Sequence, residues 1–167
     1  QARQLPGTDD PPSARHWSRH LQRGGCGLSM GACAALLRRF IDQVQPDVLS
    51  MDHYPRFGPD VDGRDNYCRN LEVMRRDSLA AGIPFWNFFN TMPYGPHTDP
   101  TEAQLRWQIF TSLAYGAKGV MYFCYWTPRG DEFPKGGAIL TADGRRTRHY
   151  DEAKRIYTAA LSKGGHE

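Results

Sequence analysis

The sequence predicts an α/β fold built on a parallel sheet, and three observations point there. Three short apolar and aromatic runs, Asp47 to Pro55, Ile83 to Thr91 and Gly119 to Thr127, each end in polar or aromatic groups before a Pro- or Gly-bearing loop. Stretches with helical spacing separate them, so the order reads helix, strand, helix, strand, helix, strand, loop, helix. The runs begin roughly 35 residues apart, close to the roughly 30 residues of a βαβ unit. Buried parallel strands are nearly continuous apolar runs, and polar residues at their C-terminal ends are where α/β folds place their chemistry.

Residues 1–28 are rich in Gln, Arg, Pro and Gly without a sustained period and read as an irregular arm; the folded region spans 29–163. From Ser29 the apolar positions Met30, Cys33, Ala34, Leu37, Phe40, Ile41 and Val44 recur at steps of three and four, the stripe of an amphipathic helix that Pro46 ends. A second helix is expected from Arg64 to Ala81, with Tyr67, Leu71, Met74 and Ala81 along one side, Gly82 as its C-terminal cap and Pro84 preventing continuation. The third has Asp99 as expected N-cap, Pro100 at the first helical position and Glu102 three residues after the cap. Leu105, Ile109, Phe110 and Leu113 form its stripe, and Gly116 stops it. A last helix from Arg148 to Leu161, capped by Thr147, turns Ala153, Ile156, Tyr157 and Ala160 inward.

The chain has 167 residues, 40% of them hydrophobic, enough for a core in one domain. A net charge of +3 is mild, and Arg145-Arg146-Thr147-Arg148 is the tight basic run, so the electrostatic footprint of a nucleic-acid binder is weak. Cys26, Cys33, Cys68 and Cys124 form no C-x-x-C pair and have no His at zinc-ligand spacing, which argues against a metal site. Cys33 and Cys124 read as small buried hydrophobes; whether Cys26 pairs with Cys68 is open. No run reaches the roughly eighteen apolar residues of a membrane span. The chain starts at Gln1 without a signal-peptide pattern, so either a leader was removed, compatible with a secreted or periplasmic place, or the sequence is a piece of something longer.

G-x-G-x-x-G and G-x-x-x-x-G-K-[ST] are both absent, which removes the usual support for a nucleotide-binding fold and leaves no cofactor expected. A (β/α)8 barrel needs about 250 residues, so this chain has room for three or four of its eight units.

The pattern Pro46-Asp47-x-Leu49-Ser50-x-Asp52-x-Tyr54-Pro55 resembles the sixth-strand region of (β/α)8 glycoside hydrolases of the β-galactosidase type, such as glycoside hydrolase family 42. The segment from Leu113-Ala114-Tyr115-Gly116-Ala117-Lys118 to Tyr125-Trp126 is similar to their seventh helix, tight Gly-Ala turn and eighth strand. The stretch from Ala138-Ile139-Leu140 through Asp143-Gly144 to Thr147 and Tyr150 resembles the turn into their last helix. The resemblance covers roughly residues 29 to 160 and implies a partial barrel, roughly strands six to eight, whose ligand is an oligosaccharide or glycoside and whose partner is the missing N-terminal half of the barrel or another copy. It also exposes a departure. Where retaining enzymes of this kind carry a nucleophilic Glu, this chain has Asn90-Thr91-Met92-Pro93, and an amide cannot attack an anomeric carbon to form a glycosyl ester.

If Asp52 faces the barrel mouth, so do Ser50 and Tyr54, while Leu49 and Met51 face the helices. Asp52 then either contacts a ligand or ties down a loop, and His53, pointing the other way, reads better as a structural hydrogen-bonding group than as a catalyst. Trp86, Phe88 and Asn90 share a face, as do Tyr122, Cys124 and Trp126. Within the resemblance, Asn90 sits at the mouth and Trp126 supplies an aromatic platform under the sugar, because the C–H face of a pyranose packs on a ring while its hydroxyls take hydrogen bonds at the edge. Tyr94 and His97 line the same mouth if their loop turns that way, and Tyr125 adjoins Trp126. Glu132, in the loop from Arg129 to Gly137, joins Asp52 as the candidate acid, although an exposed loop carboxylate is usually just solvated. Three functions are compatible with these residues: a glycoside hydrolase-like barrel portion, a non-catalytic carbohydrate-binding barrel lacking the nucleophile, or a self-contained α/β interaction domain.

Overall fold

A computed structural model describes residues 30–58, 60–130 and 135–164; the expected arm at 1–28, Cys26 and Glu132 lie outside the described residues. The described chain is α/β: α1 (Met30–Val44), β1 (Leu49–Asp52), α2 (Arg64–Ala81), β2 (Phe85–Asn90), α3 (Glu102–Ala114), β3 (Gly119–Phe123) and α4 (Arg148–Gly164). The strands form one parallel sheet in the order β1-β2-β3, with Leu49 opposite Phe85 and Trp86 opposite Gly119.

Alternation along the strands divides the sheet into two unlike faces. Leu49, Met51 and Phe85 pack with Leu37 of α1 and with Tyr67, Leu71 and Met74 of α2. Phe89 packs with Leu105 and Ile109 of α3 and Ile156 of α4, joined by Val120 and Tyr122. The opposite face carries Ser50, Asp52, Trp86, Phe88, Gly119, Met121 and Phe123, and no described helix lies on it. Tyr122 therefore faces the helices, correcting the expectation that it shares a face with Cys124 and Trp126. The strand ends at Phe123, and its register against β2 puts Met121 and Phe123 on the open side.

Helix α2 ends at a left-handed Gly82, φ 69°, whose N–H bonds back to the last turn. The cap of α3 differs from expectation. Thr101 is the N-cap, its hydroxyl accepts from Gln104 N–H, and the Gln104 side chain returns a bond from the Thr101 N–H. Asp99 is spent elsewhere. Its carboxylate meets Arg148 at 2.6 Å and the His149 ring at 2.8 Å, while the other His149 nitrogen lies 2.7 Å from Glu152. Burial would raise the Asp99 carboxyl, but hydrogen bonds from Arg148 and His149 hold it below its ordinary value. Thr147 stands just before α4, and its hydroxyl accepts from His149 N–H, as a cap should. Tyr157, expected inward, is 52% exposed.

Candidate functional site

The C-terminal ends of the three strands lie along one edge of the sheet, as parallel order requires. Past β1 the chain carries His53 and Tyr54, past β2 it turns through Thr91 to Tyr94, and β3 delivers Phe123 and Cys124. Four rings gather there. Tyr54 lies 5.2 Å from Phe123 and 5.8 Å from Tyr94, Tyr94 lies 5.0 Å from Phe123, and His97 completes the group 4.9 Å from Tyr94. The loop holding Tyr94 and His97 closes on itself through two backbone bonds between these residues, and Gly136 N–H ties it to the next loop through Pro93 O.

Asp52 is half-buried beside the Tyr54 hydroxyl. Burial pushes the Tyr54 phenol far above its ordinary value, and the nearby negative charge of Asp52 pushes it the same way; this hydroxyl stays protonated near neutrality. Burial first and the Asp52 charge second also raise Tyr94. His53 is buried on the helix side, where its Nδ1 accepts from Asn70 Nδ2 at 2.7 Å and its ring meets the edge of Tyr67. Burial, then the nearby His97, lower its pKa to about 4, so at neutral pH it is an uncharged core residue.

Asn90 is 4% exposed, and its Oδ1 accepts from Met92 N–H at 3.2 Å, which shapes the turn after β2. Its backbone is held from behind: Gln108 of α3, fully buried, accepts from Asn90 N–H at 3.0 Å and donates to Asn90 O at 3.3 Å. Beneath it, Asn87 Nδ2 donates to the Tyr67 hydroxyl at 2.6 Å and to Ser112 Oγ at 2.8 Å. This polar seam between sheet and helices escapes a reading based on apolar periodicity, because Asn87, Gln108 and Ser112 sit at stripe positions where apolar residues are expected.

The other expected contacts spread out. Trp86 shares the open face but sits near the start of β2, with Gly119 opposite, so close that a Cβ on Gly119 would lie 2.9 Å from its ring. Trp86 lies four positions before Asn90 in β2, about 13 Å along a strand, at the opposite end of the strand from the ring cluster. Trp126 lies past the end of β3, half exposed, its indole N–H donating to Ala142 O at 3.4 Å and its ring against Gly144. Tyr125 is 52% exposed beside it. Phe123, which the sequence reading did not single out, is instead the aromatic residue that β3 brings to the cluster. Its apolar neighbours on both sides leave no period to reveal its direction.

Chemically, the strand ends offer, among the described residues, one carboxylate, Asp52, with hydroxyl donors and stacked rings. Glycoside hydrolysis needs two carboxyl groups about 5 Å apart for retention or about 6.5–9.5 Å apart for inversion. Among the described residues no group of three or more His, Cys, Asp or Glu is placed to hold a metal ion, and no described helix is long and apolar enough to cross a membrane. No protein-family model matches the chain, and no curated protein matches it.

Proposed function

We propose that this chain is the C-terminal portion, roughly strands six to eight, of a (β/α)8 barrel of the β-galactosidase type, and that its strand-end edge binds a glycoside. The observation carrying this reading is the convergence of Asp52, Tyr54, Tyr94, His97 and Phe123 at the C-terminal edge of a parallel sheet, where barrels place their ligands. Asp52 takes hydrogen bonds from sugar hydroxyls, and the rings pack on the sugar's C–H face. With an amide at position 90 and a single carboxylate among the described residues at the strand ends, binding is the activity proposed; cleavage requires a second carboxylate from Glu132 or from outside this chain.

Titration of the chain with a panel of aryl β-galactosides and related glycosides, followed by tryptophan fluorescence and calorimetry, tests this. Saturable binding is expected, with Asp52→Asn weakening it about tenfold or more, the loss of a charge-assisted hydrogen bond, and leaving the circular dichroism unchanged. Absence of binding at millimolar glycoside, or equal binding by Asp52→Asn, sinks the reading.

A further inference from the structure

The loop between β1 and α2 folds into a small hairpin of its own. Gly63 N–H donates to Arg56 O at 2.9 Å, Gly58 N–H donates to Val61 O at 3.2 Å, and Phe57 pairs with Asp62 across it. A Cβ at position 63 would lie 2.7 Å from the Arg56 nitrogen, so this close approach of two backbones requires glycine. Between the hairpin and the first two turns of α3 runs an open groove of about 480 Å³, a size within the about 300–1,000 Å³ of small-molecule sites. Trp107 walls it. Its ring is fixed between Phe57, edge-on at 5.7 Å, and the buried Tyr67 at 5.4 Å, so the aromatic surface is preformed. At the rim, Arg64 Nε donates to the two Asp62 oxygens at 2.8 and 2.9 Å, and Arg64 N–H donates to the same carboxylate at 3.0 Å. Gln104 lines the groove as well, its Oε1 engaged by Thr101 N–H and its amide donors without a bond to any described residue.

We propose that this groove is a second saccharide subsite, and that the ligand is an oligosaccharide with one unit at the ring cluster and another against Trp107. The proposal rests on the glycoside reading of the strand ends. An aromatic wall takes the C–H face of a pyranose, while the Asp62–Arg64 pair and the Gln104 amide set acceptors and donors side by side for its hydroxyls. The pair is neutral as a unit, which suits an uncharged polyhydroxyl ligand. An anion would meet the Asp62 carboxylate, and a wholly apolar ligand would strip water from both charges without replacing its hydrogen bonds. The two subsites are also neighbours. Phe57 stands three residues after Tyr54, at most about 11 Å of extended chain, and Thr98 Oγ1, from the loop that presents Tyr94 and His97, donates to Phe57 O at 3.5 Å. A saccharide chain leaving the rings over that loop meets the groove next.

Calorimetry and hydroxyl-radical labelling of the 167-residue chain test this, with methyl β-galactoside as the short probe and linear β-galacto-oligosaccharides as the long ones. Affinity is expected to rise about tenfold from short to long probes, and labelling of Trp107 to fall with the long ones alone. Trp107→Leu and Arg64→Met should each weaken the long probes about threefold to tenfold and leave methyl β-galactoside binding unchanged. Arg64 is exposed, so its variant keeps the test decisive if Trp107→Leu fails to fold. Equal affinity for short and long probes, with both dependent on Asp52, overturns the proposal and leaves the strand-end reading standing. Equal losses for short and long probes in Arg64→Met overturn it too, since the groove would then not be a separate subsite. Long probes that require Trp107 yet ignore Asp52→Asn would remove the strand-end site and with it the two-subsite ligand. No binding by any probe sinks both readings.

Discussion

His53 shows how a single position can be well placed in sequence and still have a quiet role. It follows Asp52 directly, yet alternation turns it to the helix side, where Asn70 satisfies its Nδ1 and the Tyr67 ring covers it. Its neutral form is the folded form. Because burial and His97 lower its pKa to about 4 against about 6.5 in an unfolded chain, the unfolded state binds more protons between those values. Stability is therefore full above about pH 6.5 and falls as the pH drops toward 4, by on the order of 3 kcal/mol for this shift. His97, lowered by burial and by Arg56, adds in the same direction. Urea midpoints at pH 7 and 4.5 should show this slope in the parent chain and a much smaller one in His53→Gln, which keeps an acceptor for Asn70. An unchanged slope in the variant would show that other groups carry the acid sensitivity.

At the scale of elements, α2 was legible to the residue because its ends rest on local chemistry: glycines flank it, and the left-handed turn at Gly82 needs no tertiary contact. The start of α3 was not, although its signal looked stronger. Asp99-Pro100-x-Glu102 and Thr101-x-x-Gln104 both satisfy cap spacing, and the competition was decided by Arg148 and His149, some fifty residues away, which claim the Asp99 carboxylate. Thr101→Ala should accordingly cost about 1 kcal/mol in thermal or urea unfolding, whereas Asp99→Asn should leave the helix start intact; the reverse order would contradict the observed cap. The strands were found but drawn too long, and the face of β3 was misjudged because parity was counted from Trp126, beyond the point where the strand stops at Phe123. The candidate site was half legible: Asp52, Tyr54 and Tyr94 could be named, while Phe123 and Gln108 depended on register and on a polar group hidden in an apolar stripe.

Over the whole molecule, the last helix is bound to the loop before α3 by a compact polar knot. His149, 2% exposed, presents both ring nitrogens to carboxylates, and Arg148 bridges the same two, Asp99 and Glu152. Arg155 adds a second link to Glu102. These bonds fasten residues some fifty positions apart in the chain and hold the base of the loop that presents Tyr94 and His97. Removing the ring in His149→Leu leaves Glu152 and Asp99 with one partner fewer each, a loss of about 1–3 kcal/mol. Hydrogen exchange should then quicken in α4 and in residues 94–101 while α2 stays protected. Uniform acceleration across all elements would mean that the knot serves global stability with no preference for that loop.

Gln108 carries a consequence of another kind. A side-chain amide on a helix closes the last rung of β2, giving Asn90 both the donor and the acceptor that a neighbouring strand would otherwise supply. The floor of the mouth is thus hinged to α3 and follows that helix wherever it goes. Directed changes of ligand preference would be sought at the rings and the carboxylate, yet the setting screw for their height is a residue that no ligand can touch.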